Sequence, residues 1–255
     1  MDSDLRDSNK SINQRMSDQY SNKLIDDIVK YGFEVIMVPQ TNYLPSFAYT
    51  VGLWKSYKHP ELISLGLPID TLHTMLNTVA FEVIKKEKLI EIGTNYHDIL
   101  EKYPVQFLTV DKRNIPDYFG QAISYYQTVD FPALQLIWPD DKGIFPYESD
   151  FREDLIYLQP LLDRNADFKF REDKLCPVFT TSAWLENQQP IVDVIHDKDG
   201  HWFFLPLGEP DWKLVSLEEL IKVDPTLNDV FDLDYGECAN REFVGGRWKR
   251  DIYEE

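Results

Sequence analysis

Cysteine is scarce in this chain. Cys176 and Cys238 are the only two in 255 residues. Neither sits in a C-x-x-C pair, so the spacing offers no disulfide framework and no thiolate metal site. A reducing cytoplasm is the expected compartment. Long apolar runs are also missing, and none approaches the roughly 20 residues of a membrane span. The opening MDSDLRDSNKSINQRMSDQ (1–19) has no apolar core and reads as a solvated tail rather than a secretory signal. Sequence signatures of common chemistries are absent too: no G-x-S-x-G elbow, no P-loop, no G-x-G-x-x-G after a strand and no H-E-x-x-H.

Positive charge is in short supply. Lys and Arg number 26 against 44 Asp and Glu, a net charge of -18. Up to residue 172 there are 26 acids and 18 bases, a balance of -8; beyond it there are 18 and 8, a balance of -10. Such a surplus repels nucleic-acid phosphates and anionic membranes, so neither is expected as a partner. It suits a basic protein.

What is present is a pattern of strands and helices. The chain is organised around FAYTVGLWKSYKHPELISLGLP (47–68), in which two apolar runs, Phe47–Leu53 and Leu62–Leu67, read as buried strands joined by a polar connector. Upstream, Tyr20, Leu24, Ile25, Ile28 and Val29 fall on one face of a helix over 17–31, stopped by Gly32. FEVIMVP (33–39) reads as a strand, and Gln40–Pro45 as a turn with an exposed Tyr43. Downstream, Leu72, Met75, Leu76, Val79, Ala80, Val83 and Ile84 predict a long helix that Asp70 caps and KKEK (85–88) closes. VQFLTVD (105–111) and Ala133–Trp138 predict two more strands, with a helix from Pro116 to Tyr126 between them. The polar stretch 163–174 predicts a domain boundary. Beyond it, Ile191–His196 and His201–Leu207 form a hairpin joined by DKDG. Ser216 and Glu219 make a capping box for a short helix that Asp224-Pro225 ends.

The expected class is therefore α+β: a mostly antiparallel sheet covered by helices (20–165) after a tail (1–19), then a smaller α+β domain (174–255). The strand FAYTVGL, the turn HPEL, the exit GLP, the helix LNTVAFEVI, the segment ALQLIWPDDKGIFP and LQPLL (158–162) together resemble a bacterial family catalogued as a domain of unknown function, number 4262. The resemblance spans about residues 20–162. KKEK stands where many members have a glycine turn, and Tyr147 where a tryptophan is usual. The segment VFTTSAWLENQQPIVDVIHDKDGHWFFL and the ending REFVGGRWKR resemble a partner domain of similar bacterial proteins, with His201 in place of a usual acid. The family brings no activity with it; by analogy alone, some bacterial domains of this style act as immunity components.

Three clusters are candidates for function. In the HPE turn, His59 titrates near neutral pH, Glu61 can orient it and Thr50 lies on the paired strand, with Tyr49 and Trp54 framing a cavity. Trp138 and Asp140, at the exit of a buried strand, can join that pocket; a β-exit turn accounts for them as well. His196, Asp197, Asp199 and His201 crowd one hairpin tip, but Asp-Lys-Asp-Gly is also ordinary hairpin chemistry, and no metal is assigned. The stretch Asp224–Glu237 has five acids and no base. The expected function is a non-catalytic, immunity-like binding protein that masks a basic, toxin-like partner. Trp212, Asp224, Asp229, Asp232, Asp234 and Glu237 would form its contact surface. No cofactor is expected. The alternative is a small-molecule enzyme, flavin- or metal-binding, with its pocket at Thr50, His59, Glu61, Trp138 and Asp140.

Overall fold

The computed structural model describes residues 22–86, 90–208 and 211–254. The expected tail, the first helix before residue 22 and residues 87–88 of the KKEK run lie outside them. The chain divides into two compact units. One takes the residues up to Val38 with Phe47–Phe151, and the other takes Pro39–Ser46 with Arg152 onward. The division falls upstream of the charged stretch 163–174. That stretch is no linker, because Ala166 and Phe170 in it are buried and Phe170 packs edge-on against Trp202 at 5.1 Å.

The first unit begins with α1 (residues 22–31), whose Leu24 and Ile28 are buried. β1 (Glu34–Val38), β2 (Phe47–Val51), β3 (Glu61–Leu65), β4 (Gln106–Thr109) and β5 (Ala133–Ile137) form a sheet in the order β1-β2-β3-β5-β4. Every pairing in it is antiparallel except β3 with β5, where Glu61 stands opposite Ala133. Helix α3 (Ile69–Lys86) lays Leu72, Met75, Leu76, Val79 and Ala80 against Val35, Ala48, Leu62, Phe107 and Leu136. This is the periodic apolar stripe of a core-facing helix. Asp70 falls inside its first turn rather than at the cap.

Two further features depart from the sequence reading. The connector between the central strands contains a helix, α2 (Leu53–Tyr57), ended by Lys58 in the left-handed region at φ 57°. The helix expected over 116–126 is two, α4 (Ile115–Tyr118) and α5 (Gly120–Tyr126), because the fully buried Phe119 leaves helical geometry to pack on Tyr49 and Phe131.

The second unit holds a six-stranded sheet. In chain order its strands are β6 (Pro177–Thr181), β7 (Asp193–His196), β8 (Trp202–Leu205), β9 (Trp212–Ser216), β10 (Glu237–Asn240) and β11 (Lys249–Ile252), arranged β11-β10-β7-β8-β6-β9. Between them lie α6 (Ser182–Asn187) and α7 (Leu217–Val223), the latter opened by the expected Ser216–Glu219 capping box. Tyr43 is the correction here: it is 2 % exposed, not a surface residue. Its ring meets His196 and Tyr235 edge-on at 4.7 and 5.7 Å, and its hydroxyl donates to Glu172 at 2.7 Å. A fixed phenol with a partner for its O–H is the ordinary way a tyrosine is buried.

Candidate functional site

Glu61 opens β3 and is fully buried. Its Oε2 accepts from the Thr50 hydroxyl at 2.6 Å, and its Oε1 accepts from the backbone N–H groups of Gly52 and Trp54, both at 3.0 Å, and from the Tyr126 phenol. The N–H groups of Gly52 and Trp54 lie at the start of α2, whose cap residue has no side chain, so the carboxylate performs the capping that the sequence around Gly52 lacks. Thr50 also accepts from the Leu62 N–H at 2.8 Å. Burial pushes the Glu61 carboxyl up to about 7, and the four donors pull the other way. Glu61 is thus a clamp that ties β2, α2 and α5 together. Its two oxygens are already met by four donors.

Two residues earlier, His59 is 3 % exposed. Its Nδ1 lies 2.7 Å from the Pro60 carbonyl oxygen. A carbonyl only accepts, so Nδ1 carries the proton and, in the neutral ring, Nε2 is left as a lone-pair acceptor. That Nε2 is buried and has no hydrogen-bond partner among the described residues. Burial holds the ring's pKa below its ordinary value, which favours this neutral form. The imidazole borders a cavity of about 380 Å³, walled by Ile90, Thr109, Val110, Phe131 and Leu134. Lys112, the one charged residue on its rim among the described residues, is paired with Asp130.

The five residues expected in one pocket are not brought together. Thr50 and Glu61 bond each other, and neither lines the His59 cavity. Trp138 and Asp140 follow β5, which runs parallel to β3, so they lie at the far end of the sheet, roughly 15 Å along the strand at the usual rise per residue. There the Trp138 indole donates to the Leu65 carbonyl at 2.8 Å. Asp140 accepts from the backbone of Lys142 and Ile144 at 2.8 and 3.0 Å, which is the turn chemistry of a strand exit.

The acidic stretch of the second unit is also not the surface it resembled. Asp224 is buried and pairs with Arg241, whose side chain is fully enclosed. Asp232 is paired with Arg250 at 2.5 Å. Asp234 accepts from the backbone and side chain of Asn42 at 3.2 and 3.1 Å, and Glu237 accepts from the Asp234 N–H at 2.8 Å. A run without bases is balanced from elsewhere in the chain, which composition along the run cannot show. Asp229 is exposed, and so is Trp212, which packs its ring against Phe203 at 5.3 Å. At the hairpin tip, Asp197, Asp199 and His201 place ligand atoms within 4.8 Å of one another. Asp197 is already occupied, accepting from the N–H groups of Asp199 and His201 at 2.9 and 2.8 Å, and His196 is buried apart from them.

The described geometry can be set beside known families. Residues 27–152 match DUF4262, described as a domain of unknown function. The DUF4262 span therefore contains the Glu61 clamp, His59 and its cavity. The second unit's sheet lies beyond the span. No curated protein and no solved structure matches the chain. Among the described residues, no helix is long and apolar enough to cross a membrane.

Proposed function

We propose that the DUF4262 unit is a non-catalytic binding module for a small, largely apolar molecule that carries one hydrogen-bond donor. The reading rests on one observation: His59 offers a buried acceptor without a partner beside an apolar cavity. Leaving a buried polar atom unmade costs about 1–3 kcal/mol, so a ligand that satisfies it gains specificity from a single contact. The cavity volume of about 380 Å³ falls within the range of small-molecule sites. Because Nδ1–H is committed to Pro60, the ring meets its ligand as an acceptor, which favours a hydroxyl or an N–H over a carboxylate.

Titration with phenol and indole, against toluene as a ring without a donor, tests this by amide chemical shifts. Phenol and indole should move the resonances of Ile90, Val110 and Ala133 saturably, toluene should bind more weakly, and His59→Phe should abolish the difference. Equal binding of all three, or none, would refute it. The second reading, a basic protein partner of the immunity kind, draws support from the net charge and the exposed Trp212. An association rate that falls with salt and with Trp212→Ala would favour it.

A further inference from the structure

A separate groove of about 500 Å³ runs between the end of α1, helix α2 and Tyr125 of α5. Among the described residues, Tyr31, Tyr57 and Tyr125 line it together with Lys30 and Lys55, and no carboxylate is among them. In a chain with 44 acids and 26 bases, two lysines on one groove stand out, with Asp27 one turn back on α1 acting on Lys30 from outside the lining. Both lysines are exposed, and each holds its ammonium over a ring: Lys30 over Tyr31 at 4.6 Å, Lys55 over Tyr125 at 4.9 Å. The walls are built rather than incidental. The Tyr57 hydroxyl donates to the Tyr31 carbonyl at 3.2 Å, and its ring lies over Gly32, where a Cβ would come within 2.1 Å of the phenol oxygen. Gly32 has φ +88°, a backbone conformation that favours glycine. Glu61 holds the first N–H groups of α2, which carries Lys55 and Tyr57, and the phenol of Tyr126, next to Tyr125 in sequence.

We propose that this groove binds an organic anion that carries a flat ring, with its charge toward Lys30 and Lys55 and its ring against the tyrosines. Ammonium groups beside π-faces supply both halves of such recognition: attraction for the charge, and an apolar, polarisable surface for the ring. An anion with a ring engages both parts of the lining, whereas a bare anion meets the lysines alone and a neutral ring the tyrosines alone.

Phenyl phosphate is the probe, with inorganic phosphate and benzyl alcohol as its two halves, followed by amide shifts on the full chain. Expected is saturable binding of phenyl phosphate centred on Tyr31, Lys55 and Tyr57, weakened by salt. It should be at least about tenfold tighter than either half, a difference of 1.4 kcal/mol. The double variant Lys30→Met/Lys55→Met, at two exposed sites that leave the fold intact by circular dichroism, should lose that tenfold. Tyr125→Leu should lose ring-dependent affinity while keeping the weak phosphate response. Inorganic phosphate binding as tightly as phenyl phosphate, an undiminished affinity in the double variant, or no saturable shift with phenyl phosphate would each overturn the proposal.

Discussion

The phenol of Tyr126 donates to the carboxylate of Glu61, and that carboxylate, wholly out of solvent, has no cation among its partners in the described residues. Every group it meets is a neutral donor. Its charge is therefore held by dipoles alone, and its proton affinity in the folded chain exceeds that in the unfolded chain. Burial lifts the carboxyl from 4.5 to about 7. The folded state then binds this proton more tightly, so the group's contribution to stability is fully present below about pH 4.5 and is lost as pH rises through about 7. The loss amounts to about 3 kcal/mol. Urea unfolding of the wild type and of Glu61→Gln at pH 5 and pH 8 (roughly either side of the folded value) checks this. The wild type should lose more stability between the two than the variant does.

Tyr126→Phe removes one of the donors that favour the charged form, so the carboxyl should climb further. The Gly52 N–H also loses a contact to the phenol at 3.0 Å. Expected is a loss of about 1–3 kcal/mol, larger at pH 8 than at pH 5, because only the ionised carboxylate misses its donor. A loss that is the same at both values would mean that the phenol acts through packing alone.

Gly52 carries φ +115°, and a Cβ there would stand 2.8 Å from the Gly32 carbonyl oxygen and 2.9 Å from the Phe33 Cα. Both obstacles are backbone and cannot swing away. Gly52→Ala should cost about 2 kcal/mol or more in thermal or urea unfolding. Gly143 also has a positive φ but has open space around it, so Gly143→Ala should show the conformational cost without the clash.

Asp224→Asn leaves the Arg241 guanidinium enclosed with its charge uncompensated. Expected is a loss of about 3–5 kcal/mol in urea unfolding, as for other broken buried pairs. Trp212→Ala, at a half-exposed edge-strand position, should change stability by no more than about 1 kcal/mol. The contrast separates a structural acid from a surface residue within the set that the sequence grouped together.

Much of the fold is legible in the sequence because its signals are local. The stripe Leu72–Ala80 marks α3, the Asp-Gly turn marks the β7–β8 hairpin, and Ser216 with Glu219 marks the start of α7. What escapes is decided at a distance. Helix α2 is five residues long, too short for periodicity, and its N–H groups are met by Glu61 seven residues beyond Trp54. The acids Asp224 and Asp232 look free in a base-poor run, yet Arg241 and Arg250 come to them from 17 and 18 residues away. Tyr43 sits in a turn-like hexapeptide and is buried by His196 and Tyr235, more than 150 positions later. His59 was visible as a titratable residue in a turn. Its single free lone pair depends on the Pro60 carbonyl and the cavity beside it, and neither is written in residue order.

The tautomer of His59 is the most direct test of this binding site. A long-range proton–nitrogen correlation spectrum of the imidazole reports which ring nitrogen carries the proton. Expected is a protonated Nδ1 with a bare Nε2, since burial holds the ring's pKa below its ordinary value and favours the neutral form. Addition of phenol should shift the Nε2 signal. A proton on Nε2 at pH 8 (above the ordinary imidazole pKa of about 6.5), or an Nε2 signal indifferent to phenol, would contradict it.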